Sequence, residues 1–274
     1  MAHELRDIDF EKISRLIYEH SGINLQENKK ELVKARLSKR LREGKFKSFS
    51  DYYRYVTTEK GINELVIMID SISTNLTSFF RENSHFNKLY EIVPKMIKAT
   101  CNERNIPKLR IWSAGCSTGE EPYSLAIAAL EIFGKKNCDL RILGTDISTR
   151  TLKTAVAGVY PKEKTKNIPD SLLKKYFQIG QKNWSGYYRV KNELKDVITF
   201  RRFNLMEKPS FNNTFDIIFC RNVMIYFDKE TQKSLVERFY DCLKKGGYFF
   251  AGHSESLTGL RHQFKYVEPS VYRK

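Results

Sequence analysis

The chain has 274 residues, enough for one large domain or for a large domain joined to a small one. At 41% hydrophobic and 29% charged it can fill a core and is no disordered tail, and no apolar run approaches the ~20 residues of a membrane span. Its 48 Lys and Arg against 32 Asp and Glu leave a net charge of +16, which points to an acidic partner (nucleic acid, an anionic membrane face or an acidic protein) without choosing among them.

The opening residues lack the basic-then-apolar pattern of a secretory signal. Cys101, Cys116, Cys138, Cys220 and Cys242 are odd in number, scattered and without a C-x-x-C pair. The expectation is reduced thiols, no metal site and a cytoplasmic protein.

The first ~75 residues read as helical. Phe10, Ile13, Leu16 and Ile17 share one helix face, with Ser21-Gly22 as the stop. Val33, Leu37 and Leu41 form a second helix ended near Gly44; Tyr52, Tyr55 and Val56 mark a third, and Leu65, Ile69 and Ile72 a fourth. Residues 25–50 hold nine Lys or Arg and three acids, a net of +6. Lys29, Arg36, Lys39 and Arg40 fall within about 100° on a helical wheel. Such a face is either a solvated surface or a docking surface for an acidic partner.

From Leu109 the pattern alternates between strands and helices. Leu109–Ala114 reads as a strand, Gly115–Glu121 as a tight loop and Pro122–Phe133 as a helix stopped by Gly134. Leu140–Thr145 is a second strand running into Asp146. Val197–Phe203 and Phe215–Cys220 are further strands, Glu230–Lys244 is a helix ended by Gly246-Gly247, and Tyr248–Ala251 is a fifth strand. Phe264–Val267 with Val271-Tyr272 closes the sheet as a hairpin. This rhythm predicts a mostly parallel, doubly wound α/β sheet. The interval from Ser148 to Val197 is too long for one crossover helix. Its Tyr176–Arg189 part, rich in glycine and aromatics, predicts a small antiparallel excursion.

Trp112-Ser-Ala-Gly-Cys-Ser-Thr-Gly-Glu-Glu-Pro-Tyr-Ser124 lies at a strand-to-helix turn, where glycines let backbone approach a nucleotide-like ligand. Asp146, 27 residues after Gly119, ends the next strand, where an acid accepts hydrogen bonds from ribose hydroxyls. The two glutamates after the glycines would repel a pyrophosphate, so NAD is disfavoured. They suit S-adenosylmethionine (SAM), which carries a sulfonium and an α-ammonium and no phosphate. The same loop contains Gly115-Cys-Ser117-Thr-Gly119, a match to the G-x-S-x-G nucleophile elbow, for which Asp216 and His253 are in the right chain order. The helical region upstream and the unexplained Asp146 speak against a hydrolase. His253-Ser-Glu255 reads as a capped turn. Polar Arg221, Asn222 and Tyr226 after the fourth strand read as site lining.

Taken together, Thr74–Arg81, Trp112–Ser124, Gly144-Thr-Asp-Ile147, Asn204-Leu205, Phe219–Asp228 and Phe250–Glu255 resemble the chemotaxis receptor glutamate methyltransferases, the CheR family. The resemblance spans nearly the whole chain. It implies a class I SAM-dependent methyltransferase sheet carrying a small helical N-terminal domain and an inserted antiparallel β-subdomain. The implied divisions are 1–73 for the helical domain, 74–85 for a linker that contributes to the SAM site and 86–274 for the methyltransferase domain, with the insertion at about 160–200. The implied activity is methyl esterification of glutamate side chains on chemoreceptors by a cytoplasmic bacterial protein recruited to receptor arrays, setting sensory adaptation. Carried over by motif, Asn75, Thr77 and Arg81 approach SAM from the linker. Glu121 binds its ammonium, Asp146 its ribose, Asn204 and Leu205 flank the adenine, and Arg221 and Asn222 line the methionine end. Arg81 and Tyr226 lie nearest the transferred methyl.

In the family the basic helix, here Lys29 to Arg42, is associated with receptor docking. Some members also bind a peptide at the receptor's C-terminus through a glycine-rich loop. In the corresponding Gly180-Gln-Lys-Asn-Trp-Ser-Gly186, Gln181 and Lys182 depart from that pattern, so the peptide contact is not carried over. Two other readings stand beside this one: a nucleic-acid methyltransferase of the same fold, which lacks its usual Asp/Asn-Pro-Pro-aromatic turn here, and a non-catalytic receptor adaptor, against which the intact Glu121, Asp146, Arg81 and Tyr226 speak.

Overall fold

The computed structural model describes residues 4–73, 75–100, 106–134, 138–209 and 215–274. Thr74 of the linker motif and Cys101 lie outside the described residues.

Four helices build the N-terminal part: α1 (Asp7–Ser21), α2 (Lys30–Glu43), α3 (Phe49–Val56) and α4 (Ile62–Ile72). Asp7 and Asp9 sit in the first turn of α1, where the helix dipole favours negative charge. Gly22 ends the helix at φ 73°, and its N–H returns to the Tyr18 carbonyl. Ser48 caps α3 by accepting the Asp51 N–H at 3.1 Å. The predicted faces are the buried ones: Ile13, Ile17, Val33, Leu37, Leu41 and Tyr52 have almost no exposure. The buried members of this core lie between Leu5 and Ile72, with Ile147 and Tyr226 packing against it from the rest of the chain. Tyr55, expected on the apolar face, is exposed.

The sequence pattern placed no helix after the linker, yet α5 (Asn83–Thr100) is there. Phe86, Leu89, Ile92 and Val93 supply its apolar stripe. Pro94, inside the helix, removes one backbone donor and masks the periodicity.

The sheet domain runs β1 (Lys108–Ala114), α6 (Glu120–Phe133), β2 (Asp139–Asp146), α7 (Thr149–Ala157), β3 (Val159–Pro161), α8 (Asp170–Tyr176), β4 (Phe177–Ile179), β5 (Tyr187–Val190), α9 (Asn192–Lys195), β6 (Ile198–Arg202), β7 (Phe215–Cys220), α10 (Lys229–Cys242), β8 (Leu243–Ala251), β9 (Lys265–Glu268) and β10 (Val271–Arg273). The main sheet has the order β6-β2-β1-β7-β8-β10-β9. Its first five strands in that order are parallel, and β10 is antiparallel to both β8 and β9. Alternation along the strands feeds two cores. Leu109, Ile111, Ile217, Phe219 and Phe250 point to one, and Trp112, Ala114, Ile218, Cys220 and Phe249 to the other. The Phe219 and Phe250 rings stack at 4.3 Å across β7 and β8. The chain turns to opposite sides of β1 to reach β2 and β7, so the switch point where such sheets bind ligands lies at the C-terminal ends of β1 and β7. The long interval holds the expected antiparallel excursion, a three-stranded sheet ordered β3-β5-β4.

One boundary differs from expectation. Gly246-Gly247 does not end α10; the helix stops at Cys242 and β8 begins at Leu243. The glycine pair lies inside the strand, where its register with β7 shifts, and Gly246 takes φ 81°. A glycine pair in a strand marks a bulge as readily as it marks a helix stop.

We propose that residues 1–73 and 86–274 are two folding units joined by 74–85. Leu37→Ala, which empties a fully buried site, should cost about 2–5 kcal/mol. Hydrogen exchange should then accelerate in α1–α4 while β1 and β7 keep their protection. Equal loss in both parts would show one cooperative unit instead.

Candidate active site

A cavity of about 190 Å³ opens at the switch point, walled by the C-terminal ends of β1, β2 and β7, the linker and the helical domain. All ten residues singled out from the sequence line it: Asn75, Thr77, Arg81, Glu121, Asp146, Asn204, Leu205, Arg221, Asn222 and Tyr226.

The loop after β1 is held against β2, because the Gly115 and Cys116 N–H groups both donate to the Thr145 carbonyl at 2.8 Å. Gly119 takes φ 94°, and a Cβ there would sit 2.8 Å from Ala155 Cβ and 3.0 Å from the Tyr160 hydroxyl. Asp146 is buried and accepts the Ser117 N–H at 2.7 Å on one oxygen and the Ser148 N–H at 2.9 Å on the other. Burial pushes its carboxyl above the ordinary aspartate range, and the two N–H donors oppose that. Each oxygen keeps acceptor capacity for a hydroxyl donor.

Glu121, in the first turn of α6, accepts Ser113 Oγ at 2.6 Å and Arg221 Nε at 2.7 Å. Arg221 is a frame more than a lining. Its Nη1 donates to the Arg81 carbonyl at 2.6 Å and to His85 Nδ1 at 3.1 Å, and stands 3.5 Å from Glu82 Oε2. Its guanidinium also packs 5.3 Å from the Phe219 ring centre and 5.6 Å from that of Phe86. The neighbouring acid Glu120 is fully buried and holds Thr118 Oγ1 at 2.6 Å and Lys164 Nζ at 3.1 Å. Lys164 comes from the inserted segment and also donates to the Thr77 carbonyl at 3.3 Å, so the insertion braces the linker.

Positive φ angles at Phe80 and Glu82 bend the chain on either side of Arg81, which donates Nη1 to the Leu76 carbonyl at 3.0 Å. Asn222 also has positive φ, 58°. Glu255 holds that turn by accepting the N–H groups of Asn222 (2.6 Å), Ile225 (3.1 Å) and Gly252 (2.8 Å). The predicted capped turn at His253-Ser-Glu255 is therefore present and also supports the loop after β7. Asn204 ties the two parts of the chain together, donating Nδ2 to the His20 carbonyl at 2.7 Å and accepting the Met206 N–H at 3.1 Å. The Tyr226 carbonyl does the same by accepting the Asn24 N–H at 2.8 Å.

The hydrolase triad is not assembled. Asp216 lies at the start of β7, where it accepts the Arg110 N–H at 2.8 Å near the start of β1. Ser117 follows the other end of β1, on the order of 13 Å along the strand. Glu82, His85 and His253 each place a ligand-type atom within 4.8 Å of the others. The Arg221 guanidinium already supplies positive charge to that group.

Sequence reasoning missed Glu82, His85, Ser113, Lys164 and the helical-domain residues Asn24 and Leu25 that wall the cavity, and it read Lys29 as a docking residue without placing it on that wall. Glu82 and His85 follow directly on the Thr74–Arg81 motif, three residues apart at the start of a helix, and this was their available signal. Lys164 and Asn24 are brought in by tertiary folding and leave none.

Acids at the loop, backbone donors behind them and no basic residue on the glycine turn fit a cationic, phosphate-free nucleoside. Together with the sheet order they define a class I SAM-dependent methyltransferase. The CheR methyltransferase SAM binding domain matches residues 75–273 and the CheR methyltransferase all-alpha domain matches residues 8–73. A chemotaxis protein methyltransferase of Borreliella burgdorferi is 41% identical over 270 residues, covering 97% of this chain and 94% of that protein. Chemotaxis protein methyltransferase 2 of Pseudomonas aeruginosa is 42% identical, covering 96% and 92%, and the Escherichia coli chemotaxis protein methyltransferase is 38% identical, covering 98% and 91%. The chain belongs to the CheR methyltransferase family and acts in chemotaxis as a SAM-dependent methyltransferase. No described helix is long and apolar enough to cross a membrane.

Two predictions follow from the geometry. Gly119→Ala should lower stability by about 1–3 kcal/mol through its φ and the Ala155 contact, read as a fall in melting temperature. Burial, with Arg221 and His253 nearby, pushes His85 down to about 3, whereas an unfolded histidine titrates near 6.5. The unfolded chain therefore takes up a proton that the folded ring refuses, and stability falls as pH drops below ~6.5 by about 1.4 kcal/mol per unit from this group. Thermal melts from pH 7 to 5 should show a smaller loss for His85→Asn than for the natural chain; identical slopes would refute this.

Proposed function

We propose that the enzyme transfers the SAM methyl group to glutamate side chains on the cytoplasmic part of chemoreceptors, forming γ-glutamyl methyl esters. The observation that carries this reading is the pairing, in one cavity, of the acids Glu121 and Asp146, which suit the cationic cofactor, with cations that suit a carboxylate substrate. Arg81 and Lys29 line the cavity, and among the described residues no His or Cys does. Glutamate is ionised at neutral pH, its reference pKa being about 4.3, so no base is needed.

Bound in this cavity, SAM supplies a methyl group activated by its sulfonium. The chain's own residues bind and aim. Glu121 receives the ammonium and Asp146 the ribose hydroxyls, while Asn204 and Leu205 flank the adenine. Asn75 and Thr77 close the linker side. Asn222 lines the methionine end, and Arg221 acts there by holding Glu121. Arg81 holds the substrate carboxylate, and Tyr226 directs one oxygen by a hydrogen bond. An Arg on the carboxylate also stabilises the ground state, so Arg81 works mainly by positioning.

Receptor docking uses the basic face of residues 29–42, but not all of it. Arg36 donates to the Ile72 and Ser73 carbonyls, and Arg40 is forked onto Glu64 at 2.7 and 2.9 Å. Both are occupied inside the helical domain. Lys29, Lys39 and Arg42 remain exposed for an acidic partner. Lys39→Glu with Arg42→Glu should raise the KM for receptor at least several-fold and leave SAM affinity unchanged, whereas Arg40→Glu should lower the melting temperature.

Arg81→Ala should lose at least tenfold more turnover than SAM affinity; equal losses would make it a ligand-binding residue. The whole reading is tested by methyl transfer from tritiated SAM to receptor-containing membranes and, separately, to total RNA. Label on a membrane protein that mild alkali releases as volatile methanol is the expected result. Alkali-stable label on RNA, or no ester on the receptor, would overturn it.

A further inference from the structure

His85 is a buried polar residue for which the site chemistry above has no use. It is 1% exposed, does not line the cavity and sits in the first turn of α5. Its ring meets His253 edge to face at 4.8 Å and Phe250 at 5.4 Å, which fixes its plane. Its Nε2 has no hydrogen-bond partner. A buried donor left unsatisfied is costly, so the rest of the ring must supply something a plain aromatic would not.

We propose that His85 is a positioning residue for the methyl-transfer site, acting through Arg221 on Glu121. A guanidinium only donates, so the 3.1 Å contact from Arg221 Nη1 makes His85 Nδ1 the acceptor and puts the ring proton on Nε2. A charged imidazole would point an N–H at the guanidinium, and burial keeps the ring neutral through the working pH range. Arg221 is then held by Glu121, the Arg81 carbonyl and His85 around one planar fork. With two acceptors on Nη1 and one on Nε, the guanidinium cannot swing, and the Glu121 carboxylate keeps one orientation. The metal alternative for Glu82, His85 and His253 is disfavoured because Arg221 lies 3.1–3.5 Å from two of the three. Glu82 Oε2 stands 3.5 Å from both Arg221 Nη1 and His85 Nδ1, so the cluster is organised around a cation the chain already owns.

The inference rests on the reading that Glu121 receives the ammonium of SAM. Its test compares S-adenosylhomocysteine with methylthioadenosine, which shares the adenosine and sulfur and lacks the amino-acid end. By calorimetry, His85→Phe should weaken S-adenosylhomocysteine about tenfold or more and leave methylthioadenosine within about twofold. His85→Asn, which returns an acceptor near the Nδ1 position, should restore most of the loss. Equal weakening of both ligands would mean a merely structural residue, and no weakening of either would mean no role; each overturns the proposal. Glu121→Gln is measured alongside. If it discriminates between the two ligands and His85→Phe does not, His85 alone has been misassigned. If Glu121→Gln does not discriminate, the ammonium reading fails and takes this inference with it. Should His85→Phe fail to fold, nitrogen NMR on the natural chain decides: a neutral Nε2–H ring at pH 6 is expected, and a charged or Nδ1–H ring overturns the proposal.

Discussion

One buried guanidinium organises the site. Arg221 leaves the end of β7 with its side chain 2% exposed, and it reaches the first turn of α6 through Glu121, the linker through the Arg81 carbonyl and the start of α5 through His85. Burying a charge costs several kcal/mol unless partners surround it, and replacing such a pair by apolar side chains is often neutral for stability. The arrangement is therefore poor evidence of a stabilising device. Its consequence is geometric: helix, linker and strand end are held in one relative placement, and a carboxylate is presented at the head of the cavity. The two phenylalanine faces beside Arg221 keep water from the pair and give the cation a second, softer set of contacts.

The cavity is finished by the helical domain. Asn204 bonds to the carbonyl of His20, Tyr226 to the backbone of Asn24, and Asp70 of α4 approaches Thr149 and Arg150 at the start of α7. Each contact joins the helical part to a loop at the C-terminal edge of the sheet. The same strand ends and loops carry Asp146, Asn204 and Tyr226, so the domain joint and the cavity wall are built from neighbouring residues. In the proposed reaction this matters because attraction between a carboxylate and a sulfonium is stronger where water is excluded. It also places Lys29, at the start of the basic segment, on the wall of the cavity that an acidic substrate enters in the proposed reaction.

Much of this was legible in the sequence, and what was not has identifiable causes. The parallel strands could be read because both faces are buried: the apolar run is continuous from Ile217 to Cys220 and broken only by Ser113 between Ile111 and Ala114. The ligand loop and Asp146 could be read because glycine geometry and an acid at the next strand end are local features with a fixed separation. Helix α5 was hidden by Pro94. Gly246-Gly247 was misplaced because glycine pairs serve helix stops and strand bulges alike. The partners of Arg221 lie 100 and 136 residues away, so sequence could place it at the site without revealing that it faces other side chains. Arg36 and Arg40 mislead for the same reason. Their charge is visible in the sequence, and the Ile72 carbonyl and Glu64 that occupy them are not.

We propose that the chain holds Glu121 ready through Arg221 and presents it to the amino group of the bound nucleoside. A crystal structure with S-adenosylhomocysteine tests this most directly. The account predicts the ligand amino group within hydrogen-bond distance of Glu121, both ribose hydroxyls on Asp146, and the Arg221–Glu121 and Arg221–His85 contacts unchanged. An amino group held elsewhere, or an Arg221 that leaves Glu121 to meet the ligand carboxylate, would contradict it.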